Sequence, residues 1–115
     1  MHELSIASAI LDAVRVEAEK RPGARVTKVG VRIGELAGVD PESLSFGFEA
    51  LVKGTELEPL ALEIESRPWR HRCRRCATTF AVTDGSLACP SCGAKETVFI
   101  SGDELELAFL EMTEP

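Results

Sequence analysis

The stretch Cys73-Arg74-Arg75-Cys76, followed after twelve residues by Cys89-Pro90-Ser91-Cys92, holds all four cysteines of a 115-residue chain. Two residues inside each pair let a tight turn aim both sulfurs at one point. Two such turns facing each other complete a tetrahedron, the geometry of structural zinc. Asp84-Gly85 lies near the middle of the intervening twelve and suits the hairpin that joins the pairs, and Gly93 permits a left-handed turn after the second. Paired redox disulfides are the competing reading, but two pairs at ribbon spacing favour zinc, with iron as the alternative metal. Sulfur fills all four positions and leaves none for water, so the metal is expected to supply folding energy and no chemistry. Residues 67–100 are therefore expected to form an inserted zinc-ribbon module with Phe80, Val82, Leu87, Val98 and Phe99 as its core.

Outside the module the hydrophobic pattern switches between helical and strand periods. Leu4, Ala7, Leu11, Val14 and Ala18 recur at three- and four-residue steps between Leu4 and Arg21, and Ile6, Ile10 and Ala13 widen that stripe into an amphipathic helix. Lys20 and Arg21 favour its C-terminus, and Pro22-Gly23 stops it. From Val26 to Leu36, Thr27, Val29, Val31 and Ile33 alternate with Lys28, Gly30 and Arg32 as a half-buried strand, broken by Gly34 and Gly38. Asp40-Pro41-Glu42 reads as N-cap, first-turn proline and first-turn acid of a second helix. Leu44, Phe48 and Leu51 share one face of it, and Gly54 suits the position just past its end. Leu60, Leu62 and Ile64 mark a second strand, and Leu105, Leu107 and Phe109 alternate with Glu104 and Glu106 in a third.

This order predicts an α+β fold: a three-stranded sheet with two helices on one face, from residues 1–66 and 101–115, plus the zinc ribbon inserted at 67–100. Because the excursion leaves and returns close together, the second and third strands are expected to be antiparallel neighbours.

Apolar residues make up 44% of the chain and charged residues 28%, an ordinary globular composition, and no apolar run approaches the roughly 18 residues of a membrane span. Met1-His2-Glu3-Leu4 lacks the basic start and apolar stretch of a signal peptide, so a cytoplasmic location is expected. A net charge of −6 argues against a whole-surface nucleic-acid binder. Yet Arg67, Arg70, Arg72, Arg74 and Arg75 crowd one short acid-free segment, leaving 8 basic against 19 acidic residues elsewhere. Their expected task is to offset the negative charge of zinc on four thiolates, bonding to sulfur, with docking of an acidic partner or nucleic acid second. His71 stands among them and is expected to be solvated, since four cysteines already complete the site.

Met1-His2-Glu3 offers a second coordination set. With Met1 retained, as expected before a bulky second residue, its free amine lies one peptide unit from His2. The amine, the His2 amide nitrogen and the His2 imidazole can form fused chelate rings around one ion, completed by the Glu3 amide or carboxylate. A planar, nitrogen-rich set suits Ni(II) or Cu(II), not zinc. The plainer alternative is a helix terminus on which Glu3 favours the N-terminal end of the dipole.

At this point several motifs fall into one order. Met1-His2-Glu3-Leu4-Ser5, Val31-Arg32-Ile33-Gly34-Glu35-Leu36, Pro41-Glu42-Ser43-Leu44, both cysteine pairs and Ile100-Ser101-Gly102-Asp103-Glu104-Leu105 together make the chain resemble the HypA/HybF family, nickel-incorporation accessory proteins of NiFe-hydrogenase maturation. The resemblance implies nickel on His2, with the Met1 amine and Glu3 contributing, and structural zinc on Cys73, Cys76, Cys89 and Cys92. It implies a metallochaperone and not an enzyme, delivering nickel to the hydrogenase large-subunit precursor in concert with a GTPase partner, in a monomer or homodimer. Some relatives also serve urease and its accessory proteins. The chain has no phosphate-binding glycine-lysine loop of its own, consistent with GTP hydrolysis in a partner. Two other functions compete: a zinc-ribbon nucleic-acid module using the arginines, and a thiol oxidoreductase using metal-free cysteines. No nucleic acid and no membrane partner are expected.

Overall fold

The computed structural model describes residues 2–114. Two compact units divide them: residues 2–32, 39–65 and 106–114 in one, 33–38 and 66–105 in the other. The segment 33–38, which the sequence leaves with the larger domain, thus belongs with the four cysteines.

In the first unit, α1 (His2–Glu19) buries Ala7, Leu11 and Val14. The helix begins two residues earlier than the apolar stripe suggests and ends before Lys20, where the amides of Lys20 and Arg21 close the last turn onto Glu17 and Ala18. Helix α2 (Pro41–Val52) starts at the expected proline, with Asp40 as its N-cap residue. The Asp40 carboxylate accepts the Ser43 hydroxyl at 2.6 Å, so it anchors the first turn through a side chain, with no capping bond to a backbone N–H. Leu44, Gly47, Phe48 and Val52 form its buried face, Val52 taking the fully buried place that the sequence suggests for Leu51. Gly47 lies against Leu4 of α1, where a Cβ would stand 3.4 Å from Leu4 Cδ1. Phe48 is 1% exposed, and burying an aromatic ring that far stabilises by about 3 kcal/mol.

Strands β1 (Arg25–Gly34), β2 (Ala61–Arg67) and β6 (Leu105–Thr113) form the predicted three-stranded sheet, but in the order β2-β1-β6. The expectation that the second and third of these pair with each other is overturned: both pair with β1. The cause lies in burial. Val29, Gly30 and Val31 are consecutive and all buried, so β1 is covered on both faces and takes the centre. Its partners keep one wet face, as edge strands do. Lys28 pairs with Glu63 and Arg32 with Glu65, numbers rising together as in parallel strands joined through α2. On the other side Thr27 reaches the Glu111 carbonyl and Thr113 the Arg25 carbonyl, the falling order of an antiparallel pair. Leu105, Leu107 and Phe109 lie on the more exposed face of β6, and the Phe109 ring occupies the space a side chain at Gly30 would need.

The second unit holds a separate three-stranded antiparallel sheet: β3 (Arg70–Cys73) at the centre, β4 (Thr79–Ala81) and β5 (Thr97–Ser101) at its edges. Cys73, Phe80, Val82, Cys89 and Ala94 form its core, with Trp69 packed against them. Leu87 and Phe99, expected inside, are each more than two-fifths exposed. His71 corrects the expectation of a solvated side chain: it is 7% exposed, edge-on to Trp69 and Phe99 with ring centroids 5.9 Å away. A strand places alternate residues on one face, and His71 shares the inner face with Cys73 while Arg70 and Arg72 point out. The Thr97 hydroxyl gives its single hydrogen to the Leu87 carbonyl, so His71 Nδ1 must be the donor in its 3.1 Å bond to that oxygen. Residues 33–38 are tied in by Leu36 N–H to the Gly102 carbonyl at 2.7 Å and Trp69 N–H to Glu35 at 3.2 Å. Gly34 has no room for a Cβ because the Gly102 carbonyl and the Asp103 amide already fill that space.

Candidate metal centre

Four thiols converge at one end of the second unit. All are unpaired cysteines, their sulfurs lie within 4.8 Å of one another, and Cys73–Cys92 and Cys76–Cys89 approach to 3.6 Å. A tetrahedron with zinc–sulfur bonds of about 2.3 Å has edges of about 3.8 Å, so the sulfurs already lie near the spacing zinc requires. Cys73 and Cys89 are buried, Cys76 and Cys92 exposed.

Two turns of one pattern build the cage. Cys73 N–H bonds to the Thr78 carbonyl and Ala77 N–H to the Cys73 carbonyl; Cys89 N–H bonds to the Ala94 carbonyl and Gly93 N–H to the Cys89 carbonyl. The fifth residue of each turn is left-handed, Ala77 with φ 66° and Gly93 with φ 77°. Gly93 adopts that conformation without penalty, whereas Ala77 meets a Cβ clash of about 1–2 kcal/mol. Sequence inspection finds the second turn through its glycine and has no such signal for the first.

Electrostatics in the cage favour a cation. The Cys73 thiol is held below its ordinary range, chiefly by the Cys76 backbone N–H. The Thr78 hydroxyl, then the Thr78 backbone and Cys89, bring Cys76 down to about 6. Cys92 goes the other way, to about 11: the Ala94 backbone lowers it, but Cys73, burial and the other two sulfurs outweigh that. Sulfurs this close cannot all ionise unaided, and a divalent ion removes the conflict. The donors to sulfur that the structure places at Cys73 are the backbone amides of Arg75 and Cys76, at 3.3 and 3.5 Å. Among the described residues no guanidinium bonds to a sulfur, against the expectation that the arginines do so. Thr78, whose hydroxyl lies 3.1 Å from Cys76, carries no mark in the sequence of its part in the site.

The second candidate set lies at the start of α1, in the other unit. His2 is exposed, and its Nδ1 stands 3.8 Å from Glu3 Oε2. That oxygen also accepts the Asp40 backbone N–H at 3.3 Å, which, ahead of Glu3's own backbone N–H, holds the carboxyl below its ordinary range. The structure thus brings His2 and Glu3 together and adds Asp40, which the sequence marks only as a helix cap. Met1, the third expected ligand, lies outside the described residues. The backbone amides of His2 and Glu3 fall in the first turn, so neither has an intrahelical carbonyl to satisfy it.

Comparison with known proteins matches residues 1–112 to the HypA family model, described as hydrogenase/urease nickel incorporation, metallochaperone. A hydrogenase maturation factor HypA from Roseiflexus sp. (strain RS-1) is 44% identical over 112 residues, 96% of this chain and 91% of that one. The counterpart from Streptomyces avermitilis is 42% identical over 109 residues, 93% of this chain and 83% of that one. Among solved structures, a HypA protein in solution aligns with a TM-score of 0.70 at 25% identity, covering 100% of this chain and 98% of that one. The solution structure of the Ni metallochaperone from Helicobacter pylori shares the fold, with a TM-score of 0.65 at 23% identity over 98% of each chain.

Proposed function

From the chain's membership of the HypA family, the hydrogenase/urease nickel-incorporation metallochaperones, we propose that it carries Ni(II) at its N-terminus and hands it to the hydrogenase large-subunit precursor. The chain is a maturation factor, not an enzyme. The observation that carries the nickel reading is the first turn of α1, where exposed His2 stands beside Glu3 and both backbone amides lack helical acceptors. Two deprotonated amides, the Met1 amine and the His2 imidazole make a planar nitrogen set suited to Ni(II). Their negative charge offsets the cost of placing a cation at the positive end of a helix dipole. Open ligands at a helix end also leave the ion accessible for transfer.

Zinc is the resident ion of the four-cysteine cage, on Cys73, Cys76, Cys89 and Cys92. Thiolate spacing supports this assignment, and the nickel proposed at the N-terminus calls for a different kind of donor set. The zinc has a folding role, since four sulfurs leave no position for water. A GTPase of hydrogenase maturation supplies the energy-coupled step, with urease accessory proteins as a second set of partners, in the cytoplasm. No helix among the described residues is long and apolar enough to cross a membrane.

Metal analysis of the untagged chain tests the division of labour. The purified protein is expected to hold about one zinc per chain before nickel is added and about one zinc plus one nickel afterwards. Nickel displacing the zinc mole for mole would place both ions in one site and defeat the two-site reading.

A further inference from the structure

The arginines of the second unit are not explained by the cage. Arg70 and Arg72 lie on the outward face of β3, the central strand of the sheet. Across the register Arg72 faces Thr79 on one side and Val98 on the other, and Arg70 faces Ala81. This face therefore presents two guanidinium groups on a floor of small and apolar side chains, with no acid. Arg74 and Arg75 continue the positive charge into the first cysteine turn, and all four arginines are exposed. Among the described residues none of these four makes a side-chain ion pair or hydrogen bond. No acid stands across from Arg70 or Arg72: Glu35 accepts the Trp69 N–H, Glu104 pairs with Arg67, Asp84 and Asp103 fall outside the strands, and Glu96, whose carbonyl accepts the Arg74 N–H, lies beside the first cysteine turn. Zinc on four thiolates carries a formal charge of −2, which two of the four guanidinium charges match. The other two are left over.

We propose that this face docks an extended acidic segment of a partner protein, with carboxylates at alternate positions set against Arg70 and Arg72. Alternate residues of a strand repeat every 6.6 Å or so, and an extended peptide has the same repeat, so carboxylates two residues apart meet both arginines at once. Each guanidinium presents a fork matched to one carboxylate. The residues between the acids point away from this face, as alternate residues of an extended chain do, so they need only be small or polar. A peptide is favoured over nucleic acid by charge: a phosphate chain would run past the strand face along a protein with 8 basic and 19 acidic residues outside the arginine segment, whereas a short acidic segment need touch only the face.

The test uses the zinc-loaded full chain and a fluorescent peptide of about ten residues, alternating glutamate with serine or valine. Peptide binding is expected to weaken about tenfold in the Arg70→Gln/Arg72→Gln variant, and similarly on raising salt from about 50 to about 300 mM. Thr79→Glu, which sets a carboxylate directly across from Arg72, should weaken it too while leaving both arginines in place. Arg21→Gln, in the other unit, should not. A peptide with lysine for glutamate should fail to bind. Zinc content and nickel uptake should be unchanged in every variant, so this proposal and the nickel assignment stand or fall separately. No peptide binding, binding indifferent to both the Arg70/Arg72 and Thr79 changes, or tighter arginine-dependent binding of single-stranded DNA would each overturn it.

Discussion

Cys89→Ala should strip the zinc from this protein and unfold residues 66–105, leaving the helical unit folded. The core around the cage is Phe80, Val82 and Ala94 with half-buried Trp69, and two of its five buried members are the cysteines themselves. So few apolar side chains offset little of the conformational entropy of some forty ordered residues, at about 1–2 kcal/mol each. Structural zinc contributes about 10–16 kcal/mol in small zinc peptides, enough to decide whether such a unit folds. Removing Cys89 takes away a buried ligand and the sulfur 3.6 Å from Cys76. The expected readout is zinc falling from about one per chain to near zero, with amide signals of the second unit collapsing to unfolded positions. Dispersed signals for Phe80 and Val82 in a zinc-free variant would contradict this account.

His2→Ala should weaken nickel binding by at least about 100-fold while zinc content and melting temperature stay put. A lost imidazole removes one of the few donors, and ligand-sphere changes of even an indirect kind cost 10–100-fold or so. Stability is spared because His2 is exposed and its side chain pairs, among the described residues, with Glu3 at 3.8 Å. Acid should release nickel too, because a nitrogen donor that gains a proton ceases to donate. Glu3 is the last of the set to respond: the Asp40 N–H holds its carboxyl below the ordinary range, so it stays ionised until the pH falls below the usual carboxylate range. Equilibrium dialysis of the variant against nickel, and of the parent chain as the pH is lowered, reads both effects.

What the sequence conveys about this molecule depends on how local each signal is. Cysteine spacing, the stripe of α1 and the Asp40-Pro41 start of α2 are properties of a few neighbouring residues, and each matches the structure closely. Strand order is a property of the whole sheet. Reasoning from where the chain leaves and returns pairs β2 with β6, yet the clue was Gly30, which lets β1 bury both faces under the Phe109 ring. His71 is hidden for a similar reason: four cysteines complete the site and leave it to solvent, but alternation along β3 sends every second residue inward. Thr78 and Asp40 reach the candidate sites through contacts that no spacing rule encodes.

The Met1 amine is the central claim, and calorimetric titration of nickel into two forms of the untagged chain tests it most directly. One form begins at Met1; the other carries a single added glycine before it. The extension changes no side chain but turns the amine into an amide and moves the free amine one residue away, rearranging the chelate rings. The account predicts that the extended form binds nickel at least about tenfold more weakly, with its zinc and melting temperature unchanged. Equal nickel affinity in the two forms would contradict it and place the nickel elsewhere on the chain.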